Sequence, residues 1–432
     1  MRLSPAPKVF GSGVHRVIAP EQTLQRIQPI ARRAGVTRLC DVTGLDRVGI
    51  PTYSAVVPKS KDLLSIYNGK GANRIDAACG ALMEAIERQT ALEFQGVPIR
   101  GSYSELSRSA PALRPASIVQ RLHPKYTDDL SLQWVEGHDL VSGSTILVPV
   151  PIAGFSTSRD CGPPCFVMES SNGLASGNVI EEAICHALCE LIERDAWTIA
   201  DLLAHWLPLW KHKRVHGDAC SEEFRDDSER YPEVDLSEAG GGVRWMLQRF
   251  ARAGLHPKVK DITSDIGVAT MVATAVDGTG PDLPMAHSGW GTHPDAHIAA
   301  TRALAELAQS RVVDIQGVRE DISQPDEVVP VYLHHTKRLK TVDLRSWYHN
   351  SSSQRRRLAD IPSAVHADIL DDIQFMIERL GEKGLKQVIV VDLTDPSLGV
   401  PVVRVIVPGL ESWVVDHSCI GDRATRHWSA NE

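Results

Sequence analysis

The chain has no apolar run approaching the roughly 20 residues that span a bilayer, and its first ten residues, Met1 to Phe10, lack the apolar stretch of a secretion signal. It also lacks a basic field: the net charge is −8 and the pI near 6.1, which argues against non-specific nucleic-acid binding. The short basic run Lys211, Lys213, Arg214 reads as solvated surface. Eight cysteines in 432 residues are too few for a disulfide framework and suit reduced thiols. No low-complexity linker divides the chain. These absences leave a soluble, cytosolic protein with a large core, since 43% of its residues are hydrophobic.

Helical and strand-like patterns alternate along the chain. Apolar spacing predicts helices over Asp76–Phe94, Glu181–Ala204, Asp295–Gly317 and Ile369–Leu380, and a shorter one over Pro20–Gly35 interrupted near Pro29. β-rich runs predict strands over Ser54–Val57, Thr145–Val150, Gly267–Val276, Val388–Val391 and Val400–Val407. The mixture implies sheets covered by helices, an α/β or mixed α+β class. Ser351–Arg357 reads as an exposed loop and Gly240–Gly242 as a sharp break. The expected organisation is an amino-terminal segment (1–60) packed on one catalytic unit (61–425), then a short tail (426–432).

One motif occurs twice and then once more in weakened form: Ala81-Leu82-Met83-Glu84-Ala85-Ile86-Glu87-Arg88, Ala187-Leu188-Cys189-Glu190-Leu191-Ile192-Glu193-Arg194, and Ala303-Leu304-Ala305-Glu306-Leu307-Ala308-Gln309-Ser310. A glycine-bearing stretch, read as a loop, precedes each helix: Asn68-Gly69-Lys70-Gly71, then Ser171-Asn172-Gly173 through Gly177-Asn178, then Ser288-Gly289-Trp290-Gly291. The spacings, roughly 106 and 116 residues, are too long for a solenoid and suit three related pieces around a common centre. At about 100° per residue, Leu82, Ala85 and Ile86 share the core face, while Glu84, Glu87 and Arg88 project opposite; Leu188, Leu191 and Ile192 oppose Glu190, Glu193 and Arg194 alike. One such copy would be an ordinary solvated Glu–Arg face. Matching copies that converge would set carboxylates against one another unless cations lay between them. Magnesium takes such oxygen ligands together with substrate phosphates, and glycine loops entering helices offer N–H groups to those phosphates. Gly69-Lys70-Gly71 lacks the GxxxxGK[ST] spacing, so this is no P-loop.

Asn68-Gly69-Lys70-Gly71 leading to Glu84-Ala85-Ile86-Glu87-Arg88 resembles the first signature of YcaO proteins. Ser171 to Asn178, Glu182 and Glu190-Leu191-Ile192-Glu193-Arg194-Asp195 resemble the second. The resemblance runs from about Lys70 to Arg311 and on to the strand segment Val400–Gly409. It implies the YcaO fold of three related loop–helix units around mixed sheets, ATP bound through magnesium ions, and phosphorylation of a backbone amide oxygen in a peptide or protein. By matching position, Glu84, Glu87, Glu190 and Glu193 fall on metal-coordinating acids. Asn178, Glu182, Arg194, Arg302 and Glu306 fall on nucleotide or metal contacts, with Lys70 in the first signature. Arg16 and Thr23 stand for two amino-terminal ATP contacts. Gly80 departs from the family's usual serine, removing a phosphate-contacting hydroxyl.

Thr37-Arg38 through Asp41-Val42-Thr43-Gly44-Leu45-Asp46, with Gly49-Ile50-Pro51, resembles the branch that works with TfuA proteins and is linked to thioamide formation. The ending Trp428-Ser429-Ala430-Asn431-Glu432 lacks the proline-alternating tail of azoline-forming cyclodehydratases. Thioamidation is therefore expected ahead of cyclodehydration in a ribosomal peptide pathway; an ATP-binding accessory to another sulfur-transferring enzyme is the reading from a different class. The chain shows no sulfur-handling module, so an external sulfide donor and a TfuA-like partner are expected. The general base and the oligomeric state, a homodimer included, stay open.

Other candidates carry ordinary readings. Cys161-Gly162-Pro163-Pro164-Cys165 is not a CxxC and reads as a structured loop. Cys79, Cys185 and Cys189 read as buried small hydrophobes, and Asp392–Asp395 as turn caps. His287 and His293 flank the third glycine stretch, where a histidine could act as acid or base, against the ordinary reading of exposed loop residues.

Overall fold

The computed structural model describes all residues except 10–14, 63, 95, 156–163, 169, 218–223, 279–284, 318–345 and 413–418. In chain order, α1 (Pro20–Arg33) precedes an antiparallel meander of β1 (Arg38–Asp41), β2 (Thr52–Val56) and β3 (Ile66–Lys70), on which α2 (Arg74–Glu93) lies. Next come β4 (Ile99–Gly101), the short turn α3 (Tyr103–Leu106), β5 (Leu132–Asp139), β6 (Thr145–Pro149), the short turn α4 (Val150–Ala153), β7 (Leu174–Ser176) and α5 (Ile180–Asp201). The middle of the chain forms α6 (Leu207–His216), β8 (Glu233–Asp235), α7 (Gly241–Arg252), β9 (Lys258–Asp261), β10 (Thr270–Asp277), β11 (Met285–Thr292) and α8 (Ala296–Gly317). The last elements are β12 (Arg355–Arg357), α9 (Ile369–Glu382), β13 (Ile389–Asp392), β14 (Val402–Ile406) and α10 (Asp422–Asn431).

Among the described residues three sheets result, ordered β1-β2-β3, β11-β10-β9-β8-β12 and β4-β5-β13-β14-β7, with β6 paired to β5. Each carries one of the three motif helices: α2 on β2 and β3, α5 on β7 and β14, α8 on β10 and β11. The apolar faces read from the sequence are the ones buried. Ala81, Leu82, Ala85 and Ile86 join Ile27, Ala55 and Tyr67; Ile184, Leu188 and Ile192 join Val403, Val405 and Met376; Ala303, Leu304 and Leu307 join Met271 and Ala273. Asn73 starts α2 by accepting hydrogen bonds from the backbone N–H groups of Ile75 and Asp76.

Gly69 and Gly289 lie inside β3 and β11, and the helix backbones press directly on them. A Cβ on Gly69 would stand 2.1 Å from Ala77 O and Ala81 N, and one on Gly289 2.0 Å from Leu307 N. The expected loops at Asn68–Gly71 and Ser288–Gly291 are therefore mainly strands, and their glycines serve close helix–strand approach. Only the second stretch keeps loop character around the short β7, with Gly173 at φ +80°.

α1 runs unbroken through Pro29, which sits on the exposed face, where water can reach the carbonyl that its missing N–H leaves free. The expected loop Ser351–Arg357 ends in edge strand β12, parallel to β8, because its arginines find acids: Arg355 with Glu233, Arg356 with Asp261 at 2.7 Å and Arg357 with Asp360 at 2.8 Å. Gly240 becomes the N-cap of α7. The final residues belong to α10, which Arg423 pins by pairing with the fully buried Asp195 at 2.9 Å and with Asp265 at 2.7 Å. Arg423→Ala leaves Asp195 charged and unpaired in the interior. The expected destabilisation is about 3–5 kcal/mol, read as a lowered midpoint in urea unfolding; an unchanged midpoint would refute the role.

Candidate active site

The polar faces of α2, α5 and α8 converge on one cavity of about 860 Å³, within the ~300–1,000 Å³ usual for ligand sites. All twelve residues singled out in the sequence line it. Glu84 and Glu87 come from α2, Glu182, Glu190, Glu193 and Arg194 from α5, and Arg302 and Glu306 from α8. Lys70 comes from the end of β3, Asn178 from the turn after β7, and Arg16 and Thr23 from the amino-terminal stretch. Helical spacing explains the convergence: positions 182, 186, 190 and 193 form one stripe of α5, and 302, 306 and 309 one stripe of α8.

The amino-terminal end of α5 is closed by hydrogen bonds. Glu182 accepts from the backbone N–H of Val17 (2.7 Å) and from the backbone N–H (2.8 Å) and side-chain amide (3.0 Å) of Asn178. Thr23 donates to Asn178 Oδ1 at 3.1 Å, and Arg16 stands 4.0 Å from Glu182. The sequence reading missed Arg26, which donates to both oxygens of Asn178, and His186, whose Nδ1 lies 3.1 Å from Arg302 Nη2. His186 was findable by spacing, one turn from both Glu182 and Glu190. Arg26 and Arg404 carry no such signal. Arg404 of β14 is buried, donating to the carbonyls of Ser170, Asn172 and Gly154, and its charge acts on Glu190.

At the centre, Lys70 pairs with Glu306 at 2.7 Å, Glu84 accepts from the backbone N–H of Asn68 (3.1 Å) and Glu87 from Ser176 (3.1 Å). Arg194 stands 4.0 Å from Glu190 and over the Trp197 ring. The carboxylates lie deep in the protein and feel one another. Burial, then the charge of Glu84, pushes Glu87 up to about 8; burial, then Glu306, pushes Glu193 up to about 7. Burial raises Glu84 and Glu190 as well. Burial opposes ionisation of Glu306 too, but Lys70 holds it below the ordinary value. Glu193 Oε2 is buried with no hydrogen-bond partner among the described residues.

A set of mostly half-buried, mutually repelling carboxylates with an orphaned oxygen fits divalent cations. Magnesium takes carboxylate oxygens together with the oxygens of substrate phosphates. Among the described residues, His15, His293 and Asp372 bring three potential ligand atoms within 4.8 Å of one another. There Lys8 already pairs with Asp372 at 2.5 Å, and His293 Nδ1 accepts from the backbone N–H of Asp295, so the ring's proton sits on Nε2.

The proton count predicts a pH effect. Without metal, folded Glu87 and Glu193 keep protons up to about 8 and 7, whereas unfolded they release them near 4.5. The folded chain binds more protons across that window, so its stability falls as pH rises through it. Magnesium competes with those protons, so its stabilising effect grows over the same range. Melting temperatures in chelator should fall from the acid to the alkaline side, with magnesium restoring most at the alkaline side. A magnesium effect that shrinks with rising pH would refute the assignment.

Gly80, where a hydroxyl was thought missing, lines the cavity, but its ideal Cβ would be 3.2 Å from Gly69 Cα. A packing reason thus exists for glycine there. His287 and His293 are buried, each 4% exposed, contrary to the exposed-loop reading, because β11 and the start of α8 enclose them. Cys79, Cys185 and Cys189 are buried as read. Cys165 is buried, while Cys161 lies outside the described residues. Asp392 and Asp395 cap turns, accepting from the N–H of Thr394 and Ser397.

Residues 68–411 match the pattern of the family described as YcaO cyclodehydratase, ATP- and Mg2+-binding. A protein of Methanothermobacter thermautotrophicus is 34% identical over 94% of this chain and 98% of its own. A Rhizobium leguminosarum bv. trifolii protein, named for its place in the tfuA 3' region, is 33% identical over 92% of this chain and 88% of its own. The structure of YcaO from Methanopyrus kandleri, bound with AMPPCP and Mg2+, superposes with a TM-score of 0.69 at 25% identity, covering 96% of this chain and 98% of that one. The chain belongs to the YcaO family, and ATP and magnesium are its cofactors. Among the described residues, no helix is long and apolar enough to cross a membrane.

Proposed function

We propose that the protein uses Mg–ATP to phosphorylate a backbone amide oxygen of a peptide or protein and thereby installs a thioamide. The observation that carries the reading is the shared cavity in which Glu84 and Glu87 of α2 and Glu190 and Glu193 of α5 face Lys70 of β3, Arg194 of α5 and Arg302 of α8. In this reading the four glutamates hold magnesium, which would neutralise charge on the phosphates. Arg16, Thr23, Asn178, Glu182, Arg302 and Glu306 hold ATP, with Arg194 and Lys70 beside the transferring phosphoryl group, where fixed positive charge lowers the barrier most. An amide oxygen leaves poorly until phosphorylated, so this one activation serves any nucleophile that adds to the carbonyl carbon.

The relative from the tfuA 3' region supports sulfide as that nucleophile. It also supports a TfuA-like partner that delivers or positions the sulfur. The family's description as cyclodehydratase favours the second reading, in which a substrate cysteine, serine or threonine attacks and an azoline forms. Intact-mass analysis separates them. Peptide substrate, ATP, magnesium and sodium sulfide should yield a product heavier by the exchange of oxygen for sulfur, faster at low sulfide with the partner. A loss of water without sulfide would replace thioamidation by cyclodehydration. No mass change despite tight ATP binding would favour the accessory role.

A further inference from the structure

Arg302 of α8 lines the cavity without a carboxylate partner. Lys70 pairs with Glu306 at 2.7 Å, and Arg194 and Arg16 each stand 4.0 Å from a glutamate. The charge of Arg302 acts on Glu193, yet among the described residues no acid pairs with it. Its bond goes instead to a histidine: Nη2 donates to His186 Nδ1 at 3.1 Å, from α8 to α5, across 116 residues of chain. A guanidinium has donors alone, so Nδ1 accepts and the ring's proton sits on Nε2. Burial, then the charges of Arg302, Arg16 and Lys70, holds His186 well below its ordinary value, so the ring is neutral. That neutrality has a consequence. A carboxylate in its place would hold the guanidinium and also cancel its charge. The imidazole fixes one N–H and leaves the charge uncompensated, with the other N–H groups free for an anion. Arg302 is half-buried, and none of its nitrogens is both enclosed and unpartnered, so those groups stay open to a ligand in the cavity.

We infer that His186 is a positioning residue, which fixes the Arg302 guanidinium for a phosphate of the nucleotide while leaving its charge intact. The inference rests on the reading of Arg302 as an ATP contact and names the group that keeps it available. Without the ring, the flexible arginine is free to close on Glu306, one turn along α8, or on Glu193 across the cavity. Either pair then has to break before a phosphate binds, and affinity is lost to that reorganisation. The amino-terminal half of the α5 stripe thus divides its work: Glu182 closes the end of the helix with Asn178 and Val17, and His186 holds the cation opposite.

The test measures binding of Mg–AMPPCP, a non-hydrolysable ATP analogue, to the full chain by calorimetry, so no peptide is needed. His186→Leu, which removes a hydrogen bond to a charged group, should weaken binding by roughly tenfold to a hundredfold. His186→Asn, whose amide oxygen can stand where Nδ1 does, should recover most of that loss. Arg302→Ala should itself bind weakly, and adding His186→Leu to it should cost nothing further, because the group that the ring positions is gone. A histidine that served the fold alone would weaken both backgrounds alike. His186→Ala takes the place of His186→Leu if that variant does not fold. Wild-type affinity in the histidine variants beside a weakened Arg302→Ala, an equal loss in His186→Asn, or the same loss in both backgrounds overturns the inference and leaves the ATP contact standing. Wild-type affinity in Arg302→Ala overturns the reading of Arg302 instead.

Discussion

Glu190→Gln should lower peptide-dependent ATP turnover by roughly 10²-fold or more, as expected when one fixed electrostatic contact to a transferring phosphoryl group is lost, while leaving the melting temperature equal or higher. The two effects share a cause. Burial disfavours the Glu190 charge, and Glu193 is pushed up partly by that same charge, so a neutral isostere relieves the metal-free protein. A residue held at a cost to stability is one kept for function. Leu188, two residues away on the opposite, core face and fully buried, should behave oppositely. Leu188→Ala should cost about 2–5 kcal/mol with catalysis by the remaining folded protein little changed. Turnover assays beside thermal melts check both. Wild-type turnover in Glu190→Gln would remove the metal assignment.

Gly289→Ala should prevent folding or destabilise severely, although it adds a single methyl group. That carbon would sit 2.0 Å from Leu307 N and 2.4 Å from Ala303 O. Helix backbone cannot step aside as a side chain can, so the cost should exceed the ~1–3 kcal/mol of ordinary overpacking. Gly44→Ala is the control: no heavy atom lies within 4 Å of its added carbon and its φ is not positive. Soluble yield and urea midpoints decide. A Gly289→Ala protein as stable as Gly44→Ala would show that β11 and α8 do not press together as described.

The four long motif-bearing and carboxy-terminal helices were legible because an apolar stripe at helical period is a strong local signal. Glu181–Ala204 corresponds to α5 (Ile180–Asp201), and Asp295–Gly317 to α8 (Ala296–Gly317). Several strands were not. β8 and β12 have three residues each, too short for a period, and β12 is the run Arg355–Arg357, which pattern alone assigns to loop. β3 and β11 were read as loops because glycine signals a turn locally. Here it answers a neighbour distant in the fold, the backbone of a helix.

The candidate site divides along the same line. Repetition of Glu-x-x-Glu-Arg behind glycine, with apolar positions opposite, determined by itself that several acidic helix faces exist and that two share one pattern. It pointed to Glu84, Glu87, Glu190 and Glu193, while the family resemblance nominated Lys70, Arg16, Thr23, Asn178, Glu182, Arg194, Arg302 and Glu306; all twelve are among the residues that line the cavity. Only the tertiary structure decided that these faces meet, which carboxylates push each other's proton affinity upward, and that Lys70 belongs to Glu306, 236 residues away. It alone brought His186 to Arg302, from two helices that no local rule connects. Periodicity is written into neighbouring residues, whereas charge coupling depends on distance through space, which a chain acquires only when its sheets and helices pack.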